Sequence, residues 1–440
     1  MFQAIGGFFN AIGEAANAIS TAVQVINGSS SRSVRHHNRP DKKKTLDFIL
    51  YTDNSNYVNK INDFANDLMF ASIVNEYDND LEGIIFSPQS VFIVLSSLYI
   101  ALSSKQKENM FENEHYLLYE YFKKMLTQVS TDKHNEYIIN NSLKILENIY
   151  IVNNFYISDT YYIDKDYENL MKILNVNIKQ LDMLNDVILD KIYRDINYFN
   201  VDTAIDHNYF SSFYVSICKI NLKWVKKFLN YDIKKRIFVR SNNEQVLENY
   251  LVCYDDIGNF YQNKDIKVFE KYCANTRLVT GFILPVSNNL VKTQLNSVTK
   301  SFHKFKLIKA KLILPKFTYS NAINFTQLQN TTVKTMNIDI LNQAKYYEKM
   351  SNNKVITIDD IVHPNAIILN ENGIFNNADE TDIMTPYHNF DEDITYIREN
   401  VTLVYDKSFI WYIKDSINNN IILCGYYNGQ SSVPLLQEHK

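Results

Sequence analysis

Residues 83–90 read Gly83-Ile84-Ile85-Phe86-Ser87-Pro88-Gln89-Ser90, and Val91 to Leu102 follow as an almost wholly apolar run. The first half predicts a short strand. Ser87-Pro88 is sound chemistry for a helix start, because Ser caps free N–H groups and Pro suits the first turn. A helix that is apolar all round is a buried one, so Val91–Leu102 is expected in a core. Upstream, Phe64, Leu68, Met69, Ala71, Ile73 and Val74 predict an amphipathic helix over Asn62–Glu76. Downstream, strand-like runs dominate to the end. Two of them, around Lys407–Ile413 and Ile421–Gly425, flank Asn418-Asn419-Asn420 and predict a closing hairpin.

Composition narrows the classes. With 440 residues, 46% hydrophobic and 21% charged, the chain can bury a real core, and disorder throughout is excluded. A net charge of -4 argues against a basic nucleic-acid binder, so no nucleic-acid partner is expected. No apolar run reaches the roughly 18 residues of a spanning helix. Tyr (31), Phe (26) and a still larger share of Asn are what an AT-rich genome encodes, which points to an insect virus or a parasite as source. Cys218, Cys253, Cys273 and Cys424 lie in apolar strand-like runs without metal spacing, and buried free thiols are expected. Phosphate-binding glycine loops, HExxH, GxSxG and EF-hand spacings are missing. No catalytic residue, metal ligand or cofactor is therefore assigned, and the chain is not read as an enzyme.

The order of these segments resembles the serpin family over nearly all of residues 58–430. Asp63-Phe64-Ala65-Asn66-Asp67-Leu68, then Ile85-Phe86-Ser87-Pro88-Gln89-Ser90 and the buried helix, are similar to its first two helices and the strand between them. Leu143 to Val152 with Phe155 resembles the strand and loop before a later helix. Tyr214 to Trp224 with Phe228 resembles a central sheet strand and its exit, although Leu222-Lys223 stands where a glycine usually precedes the Trp. Val279–Pro285, Ala310-Lys311-Leu312-Ile313-Leu314-Pro315-Lys316-Phe317, His363–Leu369 and the closing hairpin complete the match. The resemblance implies an α+β fold with three β-sheets and about nine helices in one domain, 58–440. His363 is expected to make a structural hydrogen bond, and Trp224 and Trp411 to anchor the core.

The resemblance also locates a reactive-loop region at 371–405. Inhibitory members insert a cleaved loop as a new strand, which demands small residues along the hinge. Here the hinge reads Glu371-Asn372-Gly373-Ile374-Phe375-Asn376-Asn377-Ala378-Asp379-Glu380. Glu371 and Gly373 match the family; Ile374, Phe375 and the polar run after them do not. If Ile374 faces inward, the strand period of two turns Asn376, Ala378 and Glu380 inward as well. Burying an unpaired amide costs about 1–3 kcal/mol, and an unpaired carboxylate several more. About 35 residues separate Gly373 from Phe409, well beyond an ordinary loop. Counting from the hinge places the scissile bond near Tyr387-His388. Counting back from Phe409 places it near Ile397-Arg398.

The family pattern leaves the N-terminus unexplained. Ile5, Phe9, Ile12, Ala16, Ile19, Val23 and Ile26 form a heptad seam, so residues 1–27 are expected as an amphipathic helix. Residues 28–57 begin with a small, polar, basic stretch, Arg32 to Lys44, and read as a flexible linker. Glu14 and the missing basic start make a poor signal peptide, so an intracellular protein is expected, associated with a virion or inclusion if the source is viral. Three readings stay open. The first is a non-inhibitory serpin-fold protein for assembly or binding, self-associating through Ile5, Phe9, Ile12, Ile19, Val23 and Ile26. The second is an inhibitor of host serine or cysteine proteases. The third is a membrane-surface protein using residues 1–44.

Overall fold

The computed structural model describes residues 55–75, 83–103, 149–182, 212–229, 234–274, 276–286, 294–324, 347–351, 356–376 and 400–429. Helix α1 (Ser55–Asn75) leads into β1 (Gly83–Phe86) and α2 (Pro88–Ala101). The strand–Ser-Pro–helix reading is borne out: the Ser87 hydroxyl accepts from the Ser90 N–H, and Pro88 opens the helix. Helix α1 starts slightly ahead of the expected domain boundary at 58. Its Asn62 amide donates to Asn419 O (3.0 Å) and accepts from Ile421 N (3.0 Å), which ties the first helix to the last hairpin.

Then follow β2 (Ile149–Ser158), α3 (Lys165–Ile173), β3 (Val176–Leu181), β4 (Ser212–Lys223), β5 (Lys234–Val239) and β6 (Gln245–Gln262). Next are β7 (Ile266–Tyr272), β8 (Leu278–Pro285), α4 (Gln294–Thr299), β9 (Lys306–Pro315) and β10 (Phe317–Asn324). The last elements are β11 (Asp360–Leu369), β12 (Gly373–Phe375), β13 (Asn400–Val404), β14 (Phe409–Asp415) and β15 (Ile421–Tyr427). The predicted hairpin is β14–β15, turning through Asn419 at φ 62°, a left-handed conformation that Asn tolerates.

Among the described residues the strands form two sheets, and the expected count of three rests partly on residues outside the description. A nine-stranded sheet runs β1-β15-β14-β8-β7-β6-β9-β13, with β5 on the flank of β6. Its extent has a local cause. Strand β6 is 18 residues long and pairs with β5 through its first half and with β7 through its last. A register shift between Cys253 and Asp256, with Asp255 at φ 50°, bends it between those duties. Four α-helices are described, and the expected nine rest partly on residues outside the description.

The six-stranded sheet runs β10-β11-β12-β4-β2-β3. Its inner face meets the nine-stranded sheet in one apolar cluster, where Ile220, Leu222, Leu369 and Ile374 join Phe269, Phe282, Trp411 and Tyr427. A second cluster joins α1 and α2 to both sheets through Phe64, Phe92, Leu95, Tyr214 and Tyr412. Trp224 and Trp411 are core anchors as expected, 2% and 1% exposed. All four cysteines are free and buried. Burial pushes the thiols of Cys218 and Cys273 up to about 12 and that of Cys253 to about 11, which leaves almost no thiolate.

Candidate functional site

The site is a slot in the six-stranded sheet. At its lower end β11 and β4 pair directly and in parallel, Asp360 to Val362 against Phe213 to Val215. At the upper end β12 wedges between them. Ile374 pairs with Leu369 of β11 and with Leu222 of β4, and Phe375 with Ile368 and Asn221. The hinge is therefore already a strand of the sheet for three residues.

The turn into β12 is built locally. The Asn370 side chain accepts from the N–H groups of Asn372 (2.8 Å) and Gly373 (3.2 Å), an Asx turn that folds the chain back beside β11. Gly373 is required by close approach: a Cβ there would overlap the Leu222 carbonyl oxygen. The turn is also held from outside. Trp224 donates its backbone N–H to Asn372 O (2.9 Å) and its indole N–H to Asn370 O (3.0 Å). Phe228 N–H donates to Glu371 O (3.1 Å), and Lys316 Nζ lies 2.8 Å from Glu371 Oε1. Trp224 and Phe228 in turn rest on the fully buried Lys271 ammonium, 5.4 and 4.8 Å from their ring centres. Burial is the largest single effect and opposes that charge, but the ion-paired Asp256 together with Cys253 and Cys273 makes the net push on the ammonium upward.

Between the two ends of the slot a polar knot crosses the gap. His363 is fully buried; its Nε2 accepts from Ser87 N–H (2.9 Å), and its Nδ1 lies 2.7 Å from Ser216 O. This pattern assigns the proton to Nδ1 of a neutral ring. Burial pulls the imidazole down to about 4, against the smaller upward pull of the Ser216 carbonyl. Beside it Ser90 and Ser216 both donate to Asn153 Oδ1, at 3.2 and 2.7 Å. The expected structural bond of His363 is thus observed, with partners on α2 and β4.

The structure brings together Glu371, Gly373, Ile374 and Asn376. Asn376 faces inward, as a period of two puts it, and its amide is not unpaired. It is 7% exposed; its backbone N–H donates to Ile220 O (3.2 Å) and its side chain bonds Ile220 N and Ala366 O. Phe375, on the face opposite Ile374, is as buried as Ile374, so the sheet is covered on both faces here. Ala378, Glu380, Tyr387, His388, Ile397 and Arg398 lie outside the described residues, as do Ile5, Phe9, Ile12, Ile19, Val23 and Ile26. Sequence reasoning passed over Asn370 and Lys316 as hinge contacts. Lys316 closes a matched segment and could have been paired with Glu371; nothing local distinguished Asn370.

The hinge is thus held as a short strand between β4 and β11, with the buried His363 below it. The family model described as Serpin (serine protease inhibitor) matches residues 59–429, and the chain belongs to the serpin family. A serpin-like protein of Methanosarcina mazei is 21% identical over 390 residues, 83% of this chain and 85% of that one. Serpin48 of the insect Tenebrio molitor superposes with a TM-score of 0.65 at 15% identity, covering 86% of this chain and 100% of that one. Human thyroxine-binding globulin gives 0.65 at 14% identity, covering 87% and 100%. The Methanosarcina relative is archaeal, so the viral or parasite source expected from composition gains no support from it.

Proposed function

We propose that this serpin does not inhibit proteases by full loop insertion and that its role is binding or assembly. The observation that carries this reading is the hinge itself. It is seated in the sheet as far as Phe375, and the sheet closes again below it with β11 on β4. Further insertion would have to part that pairing and draw Ala378 and Glu380 into a core lined by Ile220, Cys218 and Ile367. A carboxylate there has no described partner to offset its desolvation. A serpin fold with a binding role has a precedent in thyroxine-binding globulin, crystallised with its hormone.

The second reading, inhibition of a host protease, has one feature in its favour. Glu371 is paired with Lys316, Gly373 fits its tight place, and Ile374 and Phe375 enter without leaving the core. A panel of serine and cysteine proteases separates the two. No SDS-stable covalent complex is expected, and cleavage between Glu380 and Asn400 should leave the melting temperature unchanged. A stable complex, or a rise of tens of degrees after the cut, would overturn the non-inhibitory reading.

Assembly is assigned to residues 1–27, with a second copy of the chain as partner. The seam is apolar for almost four heptads, and each large side chain buried contributes about 1.5–3 kcal/mol. The family match begins only at residue 59. The third role, a lipid surface met by residues 1–44, predicts binding to anionic vesicles instead. Deleting residues 1–44 should leave a folded protein of lower oligomeric state in sedimentation. A full-length protein that is monomeric at high micromolar concentration removes the basis for assembly.

A further inference from the structure

We propose that the Asn376 side chain is a latch that stops the hinge at its third inserted residue by occupying the two sheet groups the next step needs. The inference deepens the non-inhibitory reading by naming what arrests the loop.

The register makes the argument. On the β4 side Gly373 faces Lys223 and Phe375 faces Asn221, so Asn376 faces Ile220. Its N–H donates to Ile220 O (3.2 Å), as the ladder requires. The reciprocal bond should run from Ile220 N–H to the Asn376 backbone carbonyl. It runs instead to Asn376 Oδ1. On the β11 side Leu369 faces Ile374 and Ile368 faces Phe375, so Ala366 is the partner of residue 377. The Ala366 carbonyl is the acceptor that the N–H of residue 377 would take in an advancing strand. It is filled by Asn376 Nδ2.

One planar amide thus stands in for two backbone groups, an acceptor toward β4 and a donor toward β11. Both groups are already bonded, so a backbone advance by one residue has to displace the side chain from them. An amide suits the task because it carries an acceptor and donors a short reach apart. A carboxylate lacks the donor, and an aliphatic side chain lacks both. Below the latch the gap is crossed by His363, whose Nδ1 meets Ser216 O, and then closed by β11 on β4. The hinge is tied behind as well, through Trp224, Phe228 and Lys316, so it is held against retreat and against advance by different groups.

The test is hydrogen exchange on the intact full-length chain, with no protease present, comparing wild type with Asn376→Ala and Asn376→Asp. The amides of Leu222 and Ile374 report whether the seated hinge is still in place, and the melting transition reports folding. In Asn376→Ala the amide of residue 377 should gain about tenfold protection as it takes the Ala366 carbonyl, with Ile220 still protected by backbone. Asn376→Asp keeps the acceptor for Ile220 but loses the donor, and should show the same gain at residue 377. Two results overturn the latch. One is an unprotected residue 377 together with a roughly tenfold loss at Ile220, which would make Asn376 a tie and not a stop. The other is no change at either amide. If wild type forms a covalent protease complex, the non-inhibitory reading fails while these exchange results still decide the latch.

Discussion

Valine at position 373 is expected to expel the hinge from the sheet. A Cβ there overlaps the Leu222 carbonyl oxygen, and the obstruction is backbone of a central strand that cannot step aside. The neighbours Ile374 and Phe375 are both 0% exposed, and each returned to water forfeits about 1.5–3 kcal/mol of burial. Gly373→Val should therefore cost about 3–6 kcal/mol, lowering the denaturant midpoint and exposing the amides of Leu222 and Ile374 to exchange. Because the turn bonds of Asn370 end at the Gly373 N–H, they should loosen with it. An unchanged midpoint with Ile374 still protected would show that the hinge does not depend on this close approach.

Acidification should weaken the fold through His363. Its imidazole is held at about 4 in the folded chain against 6.5 ordinarily, because burial excludes the charged form. The unfolded chain takes up a proton that the folded chain refuses. This contribution is fully present above the unfolded value and is lost progressively as pH falls toward the folded value. Its size over that window is about 3 kcal/mol. Protonation would put a second donor at Nε2, opposite the Ser87 N–H that now donates to it. His363→Gln should be less stable near neutrality but lack this part of the slope. Denaturation midpoints of both proteins from about pH 7 to about pH 4 decide it: parallel curves would mean that other groups carry the acid response.

The two chemistries meet in one slot. The hinge residues enter between β4 and β11, and the His363 knot lies between them and the directly paired lower strands. Lys271, paired with Asp256 beneath Trp224 and Phe228, gives the upper end a rigid floor. Removing one member of such a buried pair leaves the other uncompensated, so the floor serves the hinge only while both remain.

Much of the architecture was legible in the chain. The strand Gly83–Phe86, the cap at Ser87, the buried α2 and the Asn-rich turn between β14 and β15 are all where local chemistry put them. Each depends on contacts within a few residues or on one-sided periodicity, and both are written in sequence order. The burial of the cysteines followed for the same reason, since a thiol in an apolar strand of a two-layer core has nowhere else to go.

The slot is different, because its parts come from distant stretches. Nothing near Asn376 marks it as bonded to Ile220 and Ala366, and its burial alone suggested an unpaired amide. The hydrogen-bond partners of His363 are Ser87 and Ser216, groups 276 and 147 residues away along the chain. Phe375 lies on the face opposite Ile374 and is equally buried, because the sheet is covered on both sides there. The sequence by itself determined the elements, their order and the family, since these follow from local propensity and hydrophobic period. Only the tertiary structure decided that the hinge is seated, because that depends on which backbone groups of β4 and β11 are left open when the two strands part.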